Sequence, residues 1–292
     1  MIPDAAMAQD AAMAQDAAMQ ELLQRLVKIT DPADGKIADF CNIRERDLVG
    51  REGRFIAEGT VVLRMLARSS AFQAKKILVL ENRVEGIADI LLQFDASIPI
   101  MVCSRDVIDA IAGFPMHRGV LAIGEARAPV DLHQAIHQLD AKALVLVCNA
   151  ISNHDNLGGL FRNAAAFCAD LICLDEQCCD PLYRKAIRVS VGASLRVPYT
   201  RQGSIEAIIA ALDQAGFDIW ALSPAGDLPI QEIKSGRRVA LLVGTEGAGL
   251  PDALMNRLKT ARIPQADDLD SLNVAMAAGI ALFSIAAGQG RI

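Results

Sequence analysis

The sequence predicts an α/β protein with a parallel sheet, and three observations carry that prediction. First, Ala143–Cys148 (A-L-V-L-V-C) and Arg238–Val243 (R-V-A-L-L-V) are near-continuous apolar runs, the mark of strands buried on both faces. Second, such runs alternate with longer stretches of helical pattern, which implies parallel strands with ligands near their carboxyl ends. Third, hydrophobic residues make up 52% of the chain and charged residues 22%, enough to sustain a core and too apolar for bulk disorder. With 292 residues there is room for one large domain or two modest ones.

Residues 4–19 repeat D-A-A-M-A-Q and carry too little bulk to pack firmly. They read as a frayed tail that continues into a short amphipathic helix at Glu21–Ile29, broken by Thr30-Asp31-Pro32. This tail and helix occupy 1–35. From Lys36 to Ala128 the expected elements are a helix at Arg54–Ala67, a strand at Lys75–Leu80 and a helical stretch at Val84–Phe94. A short strand at Pro99–Cys103, a helix at Val107–Ala112 and a strand at Gly119–Ile123 follow. Arg127–Leu132, with its proline, reads as a linker to a second domain over 132–292. There the expected strands are Ala143–Cys148, Leu171–Leu174, Phe217–Leu222, Arg238–Val243 and Ala261–Ile263. The expected helices are Asn156–Cys168, Ile205–Ala215, Pro251–Leu258 and Leu272–Ala287.

Bulk features exclude several classes. No apolar run reaches the length of a membrane span, and the N-terminus lacks the basic-then-apolar pattern of a signal peptide. Seven cysteines, an odd number with no C-x-x-C, argue against a metal site and for buried reduced thiols in a cytoplasmic protein. The net charge of −6 argues mildly against nucleic acid, yet between Lys36 and Lys76 nine Lys/Arg stand against five Asp/Glu. That stretch, with Arg44, Arg46, Arg51 and Arg54, reads either as an electrostatic footprint for nucleic acid or as a solvated helix face.

Three strand-to-turn junctions could carry chemistry. At the first, Asn156–Arg162, two polar residues six apart converge only if Asn156 lies in the loop. Arg162, on a helix expected to be largely buried, needs a ligand, a partner or a snorkelling route to water. At the second, V-G-T-E-G-A-G-L-P (Val243–Pro251), three glycines permit either a tight turn or close backbone approach to a ligand, with Glu246 between them. At the third, D-S-L-N-V-A-M-A-A-G (Asp270–Gly279), Ser271 sits where a helix N-cap belongs. Asn273 is then a weak helix former inside the first turn. A fourth segment, Tyr183–Tyr199, places Arg184, Lys185, Arg188 and Arg196 either along a phosphate backbone or on an exposed helix edge.

Taken in order, N-x-G-x-x-x-R (Asn156–Arg162), L-L-V-G-T-E-G-A-G-L (Leu241–Leu250) and the stretch Ile263–Leu282 resemble the SpoU/TrmH family of RNA 2′-O-ribose methyltransferases, within the SPOUT superfamily. The resemblance runs over roughly Leu144–Ala286. Val49–Gly59 and His117–Ile123 resemble more loosely the L30e-like RNA-binding extension of rRNA-modifying members, at 36–128. The resemblance implies a deep trefoil knot in the parallel sheet, S-adenosylmethionine as cofactor, RNA as substrate with rRNA favoured over tRNA, and a homodimer with its active site near the subunit interface. The absence of a metal and of a membrane span rests on the cysteine pattern and the apolar run lengths given above. The resemblance places Leu222, Ser223, Gly244, Ile263 and Leu272 at the cofactor, and Arg162, Asn156, Glu246, Ser271 and Asn273 at the reaction. Arg162 would hold the substrate or act as a base. The sequence departs from the family pattern at Gln265, Asp267-Asp268 and Ala275. A tRNA ribose methyltransferase, or a non-catalytic RNA-binding protein keeping the fold, are the alternatives.

Overall fold

The structure is a computed structural model that describes residues 5–41, 53–112, 118–128, 130–233, 236–245, 247, 249–266 and 270–292. Arg44, Arg46, Arg51, His117, Glu246, Asp267 and Asp268 lie outside the described residues. The chain divides into two compact units, Met1–Arg127 and Ala128–Ile292.

The first unit holds a five-stranded sheet of β1 (Leu26–Ile29), β2 (Arg54–Glu58), β3 (Phe72–Leu80), β4 (Ile100–Cys103) and β5 (Val120–Ala126), in the order β1-β4-β3-β5-β2. Helices α1 (Ala5–Arg25), α2 (Thr60–Ala67), α3 (Ala88–Leu91) and α4 (Arg105–Ala112) accompany it. Three expectations change. The N-terminal repeat and its continuation form one helix that ends at Arg25, because Ala, Met and Gln are strong helix formers. L-V-K-I then turns into an edge strand parallel to β4, burying Ile29. Arg54–Ala67 is not one helix: Gly59, at φ 92, separates a strand from α2. The strand forms because Phe55 packs its ring onto Gly124 of the paired β5, where a Cβ would sit only 2.2 Å from the ring. Val84–Phe94 is not one helix: a 3₁₀ turn at Glu85–Ile87 leads into a short α-helix at Ala88–Leu91, with turns on either side. The basic stretch is partly neutralised by Arg64–Asp89, Lys75–Glu125 and Lys76–Asp39 pairs on strand and helix surfaces.

The second unit is a seven-stranded sheet in which every pairing is parallel. Its strands are β6 (Ala143–Cys148), β7 (Leu171–Leu174), β8 (Tyr199–Arg201), β9 (Asp218–Leu222), β10 (Leu228–Pro229), β11 (Arg238–Val243) and β12 (Lys259–Arg262). They run in the order β10-β12-β9-β11-β6-β7-β8. The helices are α5 (Leu132–His137), α6 (His154–Ala166), α7 (Arg184–Val189), α8 (Ile205–Gln214), α9 (Asp252–Met255) and α10 (Val274–Gly288). The apolar runs have two faces, as period-two alternation requires. Leu144, Leu146, Val239 and Leu241 pack in one core with α6 and α10, while Val145, Val147, Ala240 and Leu242 pack in another with α5 and α8. The short strand β8 and helix α5 were not expected, since neither carries a long apolar run.

The C-terminus is fastened beneath this sheet. Arg291 donates to the carbonyls of Cys168 (3.0 Å) and Lys142 (2.8 Å), and its guanidinium pairs with Asp170 at 2.8 Å. The Gln289 amide donates to the Gly236 carbonyl at 2.9 Å. The Arg291 side chain is only 12% exposed, so its removal strands several acceptors. Arg291→Ala should lower the unfolding free energy by about 3 kcal/mol, read as a shift of the urea midpoint.

Candidate active site

The site is built where the carboxyl ends of β6, β9, β11 and β12 meet, as expected for a parallel sheet whose strand order reverses. Four segments leave those ends.

The loop after β6 leads into α6, which is capped by the Asn153 side chain accepting from the Asp155 amide at 2.8 Å. Asn156 lies inside the helix rather than in the loop, and it is buried. Six residues at about 100° each leave Asn156 and Arg162 on different faces. The helix is largely buried, as expected, but Arg162 itself is exposed, the outcome that the snorkelling reading allowed. The two therefore do not converge within one chain.

The loop after β11 is a tight glycine turn and a cavity wall at once. A Cβ on Gly244 would lie 2.7 Å from the backbone of Gly249, and Gly247 and Gly249 take φ of 84° and 66°. The Gly249 amide closes the turn on the Thr245 carbonyl at 3.1 Å.

The segment before α10 corrects the expected cap. The N-cap is Asn273, not Ser271: its side-chain oxygen accepts from the amides of Ala275 (3.0 Å) and Met276 (3.3 Å). Ser271 and Leu272 stay outside the helix and line the cavity. The same Asn273 side chain donates through Nδ2 to Asn156 Oδ1 at 2.8 Å, joining the first junction to the third. Small residues then let α10 settle on α6. A Cβ on Gly159 would lie 2.7 Å from Ala275, and one on Gly279 2.9 Å from Asn163, whose amide donates to the Ala275 carbonyl at 2.5 Å. Asn273→Ala removes both the cap and the tie to Asn156. It should cost about 1–2 kcal/mol in thermal unfolding.

The loop after β9 was not anticipated beyond Leu222 and Ser223. It is strapped to β12: the Ser223 amide bonds the Ala261 carbonyl at 2.9 Å, and Arg262 Nη1 donates to the Gly226 carbonyl at 2.8 Å. The Thr260 hydroxyl accepts from the Asp227 amide at 2.9 Å and donates to its carboxylate at 2.7 Å. Only glycine fits at 226, because a Cβ would sit 2.3 Å from the Ala261 carbonyl carbon. The P-A-G-D turn sequence at 224–227 was the available signal.

Together these loops enclose a cavity of about 910 Å³. Leu222, Ser223, Gly244, Ile263 and Leu272 all stand in its wall, with Ser271 and Asn273 beside them. Asn156 is tied to the wall by its bond to Asn273, Arg162 is not among the described wall residues, and Glu246 lies outside the described residues. The wall carries Asp227, Asp252 and Asp270 and, among the described residues, no Lys, Arg or His.

Of the seven cysteines, Cys103, Cys148, Cys173 and Cys178 are buried as expected, Cys41 and Cys179 are only half-buried, and Cys168 is exposed, which corrects the expectation for these three. Burial pushes the Cys173 thiol up to about 12 and Cys148 and Cys178 well up, which keeps these thiols protonated and unreactive. Of the basic segment, Lys185 pairs with Asp155 at 2.6 Å on the neighbouring α6, whereas Arg188 and Arg196 are exposed.

Residues 143–283 match the SpoU rRNA Methylase family. The chain is 38% identical over 267 residues to an uncharacterized tRNA/rRNA methyltransferase of Mycobacterium bovis, covering 87% of this chain and 90% of that one. The chain belongs to the SpoU rRNA methylase family. It is also 29% identical over 210 residues to a 23S rRNA (guanosine-2′-O-)-methyltransferase of Acinetobacter baylyi, covering 70% of this chain and 83% of that one. Among solved structures, an AdoMet-bound rRNA methyltransferase from Sinorhizobium meliloti superposes with a TM-score of 0.73 at 27% identity. That match spans 89% of this chain and 97% of the other. The parallel α/β sheet described above is the fold these family members share.

Proposed function

We propose that this SpoU-family RNA methyltransferase, whose cofactor is S-adenosylmethionine, methylates a ribose 2′-hydroxyl, in rRNA in preference to tRNA. The observation that carries this reading is the convergence of the motifs. The loops after β9, β11 and β12 enclose one cavity, and the Asn156–Asn273 hydrogen bond fastens the remaining motif to its edge. A volume near 910 Å³ falls in the range of roughly 300–1,000 Å³ typical of small-molecule sites. Gly244 and Gly249 bring bare backbone to its wall, and Leu222, Ile263 and Leu272 add apolar surface, which suits an adenosine held by main-chain groups.

Bound S-adenosylmethionine supplies a methyl already activated by its sulfonium. The residues of this chain then have to align the ribose and dispose of its proton. Arg162 grips the phosphate and ribose of the substrate through its guanidinium fork, the phosphate helping to take the proton. Asn156, held by Asn273, fixes the first turn of the helix that carries Arg162. Ser271 and Leu272 shape the cofactor wall, and Glu246 fixes the glycine loop and the arginine by ion pairing.

Arg162 is exposed and outside the cavity wall, which favours a homodimer whose partner subunit completes each site. Met276, Ile280 and Phe283 form an exposed apolar stripe on α10 at i, i+4 and i+7, which suits that interface. The strapped loop at 223–227, beside which the chain runs on from β12 into α10, fits a C-terminal segment threaded as a deep trefoil knot within 132–292. The span 36–128 serves as the RNA-binding domain of L30e-like type, within a unit that also takes in β1, and the protein works in the cytoplasm.

The test is to incubate the protein with methyl-labelled cofactor and total unmodified RNA and to map the labelled nucleotide. Label on a ribose of rRNA is the expected result. Label on tRNA transfers the reading to that substrate, and cofactor binding without transfer favours a non-catalytic RNA-binding protein.

A further inference from the structure

We propose that Asp175 is a positioning residue for methyl transfer, holding the loop that enters α6 in the one conformation that sets Asn156 and Arg162. The inference rests on the functional reading above. Asp175 follows β7 and is 1% exposed. Its carboxylate accepts from Asn149 Nδ2 at 2.6 Å and from the Ala150 amide at 3.0 and 3.1 Å, both in the loop after β6. It also accepts from the amides of Gln177 (3.2 Å) and Cys178 (2.9 Å) in its own turn. These hydrogen-bond donors are neutral amides. A buried carboxylate is costly, and a strand end needs none, so what this one accomplishes is to bind two loops into one piece.

The loop it grips is bent in a way an L-residue avoids. Ala150 takes φ of 54°, the left-handed region that favours glycine, and its amide is the one aimed at both carboxylate oxygens. Two neighbouring bonds complete the seam: the Cys179 amide to the Ile151 carbonyl at 2.8 Å, and the Ile151 amide to Cys178 Sγ at 3.3 Å. Two residues beyond Ile151, Asn153 caps α6. Asp175 thus sets the origin and direction of the helix that carries both Asn156 and Arg162. Neither Asn149, Ala150 nor Asp175 stands in the cavity wall. Loosening this seam should move the reacting groups and leave the cofactor pocket intact.

The experiment uses the full chain, methyl-labelled S-adenosylmethionine and the RNA that wild type labels, with cofactor affinity measured by calorimetry. Asp175→Ala should lower kcat by about thirtyfold or more while the cofactor Kd stays within about twofold, because small misplacements at a reacting centre are costly in rate. Asp175→Asn should recover to within about fivefold of wild type, since the Asn149 amide can turn over and accept from it. Should Asp175→Ala not fold, Asn149→Ala removes one bond of the same seam and should lower kcat about tenfold with the same unchanged Kd. A kcat within about threefold of wild type in the variant that folds overturns the proposal. So does an equal loss of kcat and cofactor affinity, or an Asn variant no better than Ala. Wild-type label on a base rather than a ribose overturns the functional reading alone, because the ratio of variant to wild type still judges Asp175. Wild type that labels no RNA overturns both.

Discussion

Arg162→Ala is expected to lower methyl transfer at least about 10³-fold while leaving S-adenosylmethionine affinity within about twofold. The split follows from placement: Arg162 is exposed on α6 and absent from the cavity wall, so its loss removes no cofactor contact. Its guanidinium can bind phosphate and ribose oxygens in a fixed fork, and an ammonium cannot reproduce that fork. Arg162→Lys should therefore recover only a small part of the rate. Single-turnover transfer to the mapped RNA, beside calorimetry with the cofactor, checks both halves. Transfer at a normal rate in the alanine variant would remove Arg162 from the reaction.

Gly244→Ala is expected to do the reverse, weakening cofactor binding at least about thirtyfold, or about 2 kcal/mol. The new Cβ would lie 2.7 Å from the backbone carbon and oxygen of Gly249. Both are main-chain atoms of a closed turn, so the wall must move rather than a side chain rotate. Calorimetry reads the loss directly, and an unchanged Kd would show that the cavity is not the cofactor site. The two variants together test the proposed dimer. With the cofactor held well below the raised Kd of Gly244→Ala, each variant is nearly silent alone, yet a mixed dimer has one intact site if Arg162 serves the partner's cavity. Random mixing should then restore about a quarter of wild-type activity. If Arg162 serves its own cavity, mixing restores nothing.

The legibility of the sequence differed from element to element for physical reasons. β6, β7 and β11 were readable to the residue because strands buried on both faces need apolar side chains at every position. Arg54–Ala67 misled because its apolar spacing suits a helix, and only pairing with Val120–Ala126 makes its first five residues a strand. Leu26–Ile29 misled likewise, since its partner β4 lies some seventy residues away. The cap was misplaced by two residues: both Ser271 and Asn273 can cap, but the helix begins at Val274, which puts the Asn273 oxygen against the Ala275 and Met276 amides.

The site divides along the same line. Sequence alone determined the parallel α/β class, the glycine turn after β11 and the three motifs, because each is a local pattern of residue types. Tertiary structure decided that five dispersed positions share one cavity wall, that Asn156 meets Asn273 across 117 residues of chain, and that Arg162 faces outward. It also decided that Thr260 and Arg262 strap the 223–227 loop, and that Asp175 seams two loops 25 and 26 residues apart. Hydrogen bonds between distant segments leave no periodicity in a sequence. Only the folded sheet, by fixing which strand ends are neighbours, brings their donors and acceptors within reach.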